Sequence, residues 1–91
     1  LRSIAGGGNP EGNHWLCEAH FVDKTLGQGI EDCGVGARAG FAGPRAILAW
    51  AYANGNGIAA DAKEAAFWAK LARDLPELRK DQRDLIAGIG E

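Results

Sequence analysis

Two cysteines and two histidines carry most of the chemistry this chain could perform. Cys17 sits between His14 and His20 in the stretch HWLCEAH, and Cys33 follows 16 residues later. A zinc site built from His14, Cys17, His20 and Cys33 is one reading. Its spacing is poor: on a helix His14 and His20 are separated by about 600° of rotation and diverge by about 120°. No C-x2-C or H-x3-H pair supports it, and no metal or other cofactor is expected. A disulfide and a pair of buried free thiols are the other readings. Cys17 and Cys33 lie eight residues either side of Thr25. If Thr25 marks the turn of an antiparallel helix pair, positions equidistant from it face each other. This geometry favours the disulfide. Closing a loop of that size contributes about 3 kcal/mol, and the bond implies an oxidising compartment, the periplasm or another exported location.

Other chemistry has less to stand on. GQGIEDCGVGARAG has the glycines of a phosphate loop, but no strand precedes it and no G-K-[ST] follows. The single serine is Ser3, in a Gly-rich lead. The acidic residues gather at helix starts and in the run RKDQRD, which reads as a solvated face. A non-catalytic protein is expected.

The elements that position these residues read as helices throughout. Residues 1–10, rich in Gly and Asn, read as a flexible lead. A first helix is expected over 11–23, with Trp15, Ala19, Val22 and Leu26 as its apolar stripe. A second, rich in Gly, is expected over 26–38: Leu26, Ile30, Cys33 and Ala37 supply its stripe, Thr25 with Gln28 a capping box, and Gly40 its end. Pro44 suits the first turn of a third helix, whose apolar face is Ile47, Leu48, Ala51 and Tyr52 and whose stop is Gly55. Asp61 with Glu64 caps a fourth, with Ala65, Trp68 and Ala72 inward. Asp74 with Glu77 repeats the device for a last helix carrying Leu78, Leu85, Ile86 and Ile89. Nothing alternates as a strand should, so the two Asn-Gly pairs at 54–57 join helices rather than strands.

At 91 residues the chain is one domain or part of one, with a core that benefits from a staple. Hydrophobic residues make up 46 %, enough for a globular fold. The net charge is −2 and no basic stripe exists, which argues against nucleic acid. No apolar run reaches the roughly 20 residues of a membrane span. The chain has no Met even at its first position, and so reads as a processed or excised segment whose N-terminus does not report localisation.

The helix starts at Thr25 and Asp61 lie 36 residues apart, the interval of stacked helical hairpins. Leu48, Ala49, Tyr52, Gly55, Gly57, Ile58, Asp61, Ala65, Trp68 and Ala72 fit L-G-x2-Y-x2-G-x-G-[VI]-x2-D-x3-A-x2-W-x3-A, with Ala49 in place of the usual second-position glycine. This resembles a Sel-like repeat, a relative of the tetratricopeptide repeat. Ala37, Gly40 and Ala42 resemble the junction between such repeats. The match covers residues 37–73. Over 10–36 only the cap and the length fit: Ala19 and Phe21 stand where glycines belong, and Asp32 where Trp68 would recur. The first pair is thus either a degenerate repeat or a capping hairpin.

The resemblance implies an all-α, right-handed solenoid of about two antiparallel hairpins plus a C-terminal helix: 11–40, 41–73 and 74–91. It also implies a scaffold that binds a peptide or protein in the groove of its first helices. Leu48, Tyr52, Gly55, Gly57, Asp61, Ala65 and Trp68 then hold the repeat together. Trp15 is expected inside the first hairpin. Trp50 falls between core positions, on the side that faces such a groove; it either contacts a partner, as a hot-spot residue beside Arg45, or packs on a neighbouring helix. Arg45, Trp50 and His20 are the expected contact residues. The alternative is a homodimer formed through the apolar face of the last helix.

Overall fold

The computed structural model describes residues 10–90. Five α-helices span Pro10–Val22 (α1), Leu26–Ala39 (α2), Ala42–Asn54 (α3), Ala62–Arg73 (α4) and Lys80–Leu85 (α5), and no strand is present among the described residues. The expected lead over 1–10 lies outside the described residues except for Pro10, which opens α1.

Helices α1 and α2 form an antiparallel pair closed by a Cys17–Cys33 disulfide, with Cα atoms 4.7 Å apart and both cysteines fully buried. Beside the bridge, buried Asn13 donates from Nδ2 to Asp32 Oδ1 at 2.8 Å. That bond gives the Asp32 carboxylate a structural part: it ties α1 to α2 beside the bridge. The bridge also corrects the stripe of α1. With Cys17 turned inward, Asn13 and Cys17 are buried. Trp15, Ala19 and Val22 are exposed, Trp15 by 60 % and Val22 by 73 %, so Trp15 does not pack inside the first hairpin.

Helix α2 tolerates its glycines because two are needed as gaps. A methyl on Gly29 would fall 2.5 Å from the His20 ring, and one on Gly36 2.8 Å from Pro44 of α3. Thr25 stands at the start of α2, but its hydroxyl does not cap the helix. It turns back to His20 Nδ1 at 2.8 Å, tying the α1–α2 turn, and the expected capping box is not formed. The α2 C-terminus closes on Gly40 at φ +104°, whose N–H donates to Ala37 O, while Phe41 N–H donates to Gly36 O.

Helix α3 is the central element. Ile47, Leu48 and Ala51 share a buried cluster with Cys17, Leu26, Cys33 and Ala37. Ala42, Ala46 and Ala49 share a second cluster with Ala69, Ala72, Leu78 and Ile86. Half-buried Trp68 touches both. Between α3 and α4, Gly55 takes φ +65° and ends α3. Gly57, at φ +81°, meets the start of α2: a methyl on it would lie 3.0 Å from Gly27 N. The α3–α4 turn thus touches the start of α2 backbone to backbone. Asp61 caps α4 by accepting from the N–H groups of Lys63 and Glu64. Its own N–H donates to Tyr52 O rather than to Glu64, so only half of the expected capping box is made.

The last helix differs most. Asp74 is the C-terminal cap of α4, in αR geometry, not the start of α5. The residue before a proline avoids the α region, so Leu75-Pro76 breaks the helix and a turn runs to Arg79. Six-residue α5 then starts at Arg79, whose N–H donates to Gln82 Oε1 at 3.0 Å. Its apolar residues face inward: Leu78 and Ile86 are buried, and Leu85 and Ile89 are half-buried against the two clusters. Arg73 Nη2 fastens the final turns by donating to Ile86 O and Ile89 O. The apolar face expected to mediate self-association is therefore consumed inside the chain.

Three outcomes follow for stability. Gly34→Ala, where a methyl would meet only the flexible Arg38 guanidinium, should stabilise by up to about 1 kcal/mol. Gly29→Ala and Gly36→Ala should each destabilise by about 1–3 kcal/mol. Urea unfolding of the three variants checks this. Replacing both Cys17 and Cys33 by Ala should cost about 3 kcal/mol in the same assay.

Candidate interaction groove

Where α1 ends and α3 ends, their side chains leave a groove of about 500 Å³ lined by Phe21, Val22, Lys24, Leu26, Trp50 and Asn56. Its shape follows from local chain geometry. Cys17 directed inward places Phe21, one turn later, toward α3. The Phe21 ring meets the Trp50 indole edge-to-face, centroids 5.3 Å apart and planes at 88°, a favourable arrangement of their ring quadrupoles. Lys24 adopts φ +62°, which reverses the chain and sets its side chain at the rim. Trp50 is half-buried, packed on the first cluster with part of its surface free.

A second recess of about 210 Å³ shares Phe21 and Val22 with the first and continues to Glu18, Ile47, Arg79, Asp81, Gln82 and Leu85. The combined surface is apolar at the Trp50 end and charged at the other. Glu18 organises the charged end. Its Oε2 lies 2.6 Å from His14 Nε2, and its Oε1 3.8 Å from Arg79 Nη2. The carboxylate also occupies the space that a side chain on Gly43 would need. It therefore stands at the first turn of α3, whose N-cap residue Phe41 makes no side-chain cap, and a negative charge there is favourable. Arg79 donates from Nε to Asp81 Oδ1 at 3.2 Å. That hydrogen bond, with the attraction of the guanidinium, holds the Asp81 carboxyl below its ordinary value and raises Arg79 above its own.

Of the three expected contact residues, only Trp50 lines this groove. Arg45 does not stand beside it. Its Nε donates to Ala37 O at 2.9 Å, placing a cation at the α2 C-terminus. His20 is engaged with Thr25 beneath Gly29. Both sulfurs are taken up by the bridge, and no group of three or more His, Cys, Asp or Glu among the described residues is arranged to hold a metal ion. No described helix is long and apolar enough to cross a membrane. Sequence reasoning missed Phe21, Lys24, Asn56, Glu18 and Arg79. The adjacent Phe21-Val22 pair before a turn was the available signal, hidden because Val22 had been assigned to the core.

Neither a scan of protein-family models nor comparisons with curated proteins and with solved structures finds a match to this chain.

The Asp81 carboxyl should titrate with a midpoint below 3.8, measured by NMR of its side-chain carbon. Because the folded value is the lower one, the Arg79–Asp81 pair supports the fold above the unfolded value. That support is lost as pH falls through the folded value. In Arg79→Gln the midpoint should move up.

Proposed function

We propose that this chain is a non-catalytic protein-interaction module of the Sel-like repeat kind, which receives an apolar peptide segment of a partner in the groove at Trp50. One observation carries the reading: Trp50, Phe21 and Leu26 form the wall of a groove of about 500 Å³, with the largely exposed Val22 at its edge. A tryptophan held on one side by the core and open on the other is the form binding anchors take, since its burial is completed only by a partner. The charged end at Glu18, Arg79 and Asp81 supplies direction. The residues that prompted the resemblance occupy supporting positions: Gly55 and Gly57 in the turn, Asp61 at the cap, Ala65 buried, and Tyr52 and Trp68 half-buried. On this reading the two helix pairs are successive units of a right-handed solenoid. The Cys17–Cys33 bridge fits work in the periplasm or another exported location.

Selection from a displayed random-peptide library tests this. Peptides enriched on the oxidised wild-type chain should carry apolar side chains. Their affinity should fall at least about tenfold in Trp50→Ala, a loss of about 1.4 kcal/mol or more, and stay unchanged in Lys63→Ala on the far helix. Peptides that bind Trp50→Ala as well as wild type would refute the assignment.

A further inference from the structure

The groove and the recess that continues it carry opposite charges. Around Trp50 the one charged lining residue is Lys24. It is exposed at the rim and makes no ion pair with a described residue. The recess beyond Phe21 and Val22 has Glu18, Arg79 and Asp81 as its charged lining residues. Two carboxylates against one guanidinium leave that end negative by one charge, counting histidine as neutral.

The pairing within the recess shows where the surplus lies. Arg79 is taken by Asp81, whose Oδ1 accepts from its Nε at 3.2 Å. Half-buried Glu18 has one oxygen to spare. Its Oε2 meets His14 Nε2 at 2.6 Å, but Oε1 has only Arg79 Nη2, 3.8 Å away and beyond hydrogen-bond length. Gln82 lines the same recess and is buried. Its Oε1 accepts from the Arg79 N–H, while its Nε2 donates to no described residue. A buried donor left without a partner is costly, and a main-chain carbonyl of a bound segment would satisfy it.

The chain sets the distance between the two charges. Glu18 and Lys24 are six residues apart at the end of α1, a rise of about 9 Å. An extended peptide covers that length in roughly three residues. Phe21 and Val22 line both recesses, so the apolar surface between the charges is unbroken.

We propose that the segment this groove takes is charged on both sides of its apolar anchor: an acidic residue over Lys24, an apolar side chain against Trp50 and Phe21, and a Lys or Arg on Glu18 Oε1. The two charges stand about three residues apart. This rests on the reading of the groove as a peptide site and names the peptide's chemistry. The basic residue completes the Glu18 carboxylate in a partly desolvated recess, where a charge-assisted hydrogen bond counts for more than at the surface. The acidic residue meets an exposed lysine and contributes less.

The closing experiment uses synthetic peptides copied from the displayed sequences that bind in a Trp50-dependent way, titrated onto the oxidised chain. Replacing the peptide's basic residue by Ala should weaken binding about tenfold, and replacing its acidic residue about threefold. In Glu18→Gln the first loss should vanish and the second persist; in Lys24→Ala the reverse should hold. The peptide changes are read on the wild-type chain, so they decide the matter even where Glu18→Gln lowers stability. Peptides that need Trp50 but carry no opposite charges, or bind as well without them, overturn this proposal and leave the groove reading standing. A charge dependence that persists unchanged in both protein variants overturns it equally. Peptides indifferent to Trp50→Ala overturn the groove reading and this proposal with it.

Discussion

The Cys17–Cys33 bridge decides which way α1 faces, and much of the molecule depends on that choice. A helix with apolar residues on two sides can rotate without exposing more oil to water. A covalent bond removes that freedom. With Cys17 turned onto α2, Asn13 is carried one turn back into reach of Asp32. Glu18 is delivered to the first turn of α3, and Phe21 arrives at Trp50. The same rotation turns Trp15, Ala19 and Val22 outward. The groove and the bare outer face of α1 are two consequences of one constraint.

The rest of the interior works through small residues. The cluster between α3 and α4 is built largely from alanines, with Leu78 and Ile86 as its large buried members. Alanine contributes little transfer energy of its own, but it lets helices approach until many weak contacts act together. Glycine extends the device where even a methyl is too large, at Gly29 under His20 and at Gly36 under Pro44. Such an interior needs its few large side chains. This is why six-residue α5 and the turns after it, fastened by Arg73, belong to the core rather than trailing from it.

Much of this architecture was legible in advance. The helical content, the stripes of α2, α3 and α4, the Asp61 cap and the cysteine pairing follow from periodicity and from distance along the chain to a turn. Those signals are local, or involve two positions related by a single turn. The stripe of α1 was misread because Trp15, Ala19 and Val22 satisfy helical spacing as well as any core face does, and spacing cannot say which of two apolar faces is covered. The start of α5 was misread because Asp74 and Glu77 imitate a capping box, while Pro76 between them keeps Leu75, the residue that would open such a helix, out of the α region, and Asp74 caps the end of α4 instead. Arg45 and Trp50 were paired by nearness in sequence. On one helix, five residues are more than a turn apart, and Arg45 serves the α2 C-terminus instead.

The order of the helices, the reversals after α1 and α3 and the favoured cysteine pairing are legible in the sequence by itself, because each rests on residues close together or symmetric about one turn. Only the tertiary structure decided which side of α1 is buried and that Phe21 and Trp50 share a groove. It alone also showed that the last apolar residues fold back rather than stand free. Those outcomes depend on which surfaces meet across three or more helices. There the free energy is a sum over contacts far apart in sequence, and no single stretch of the chain encodes it.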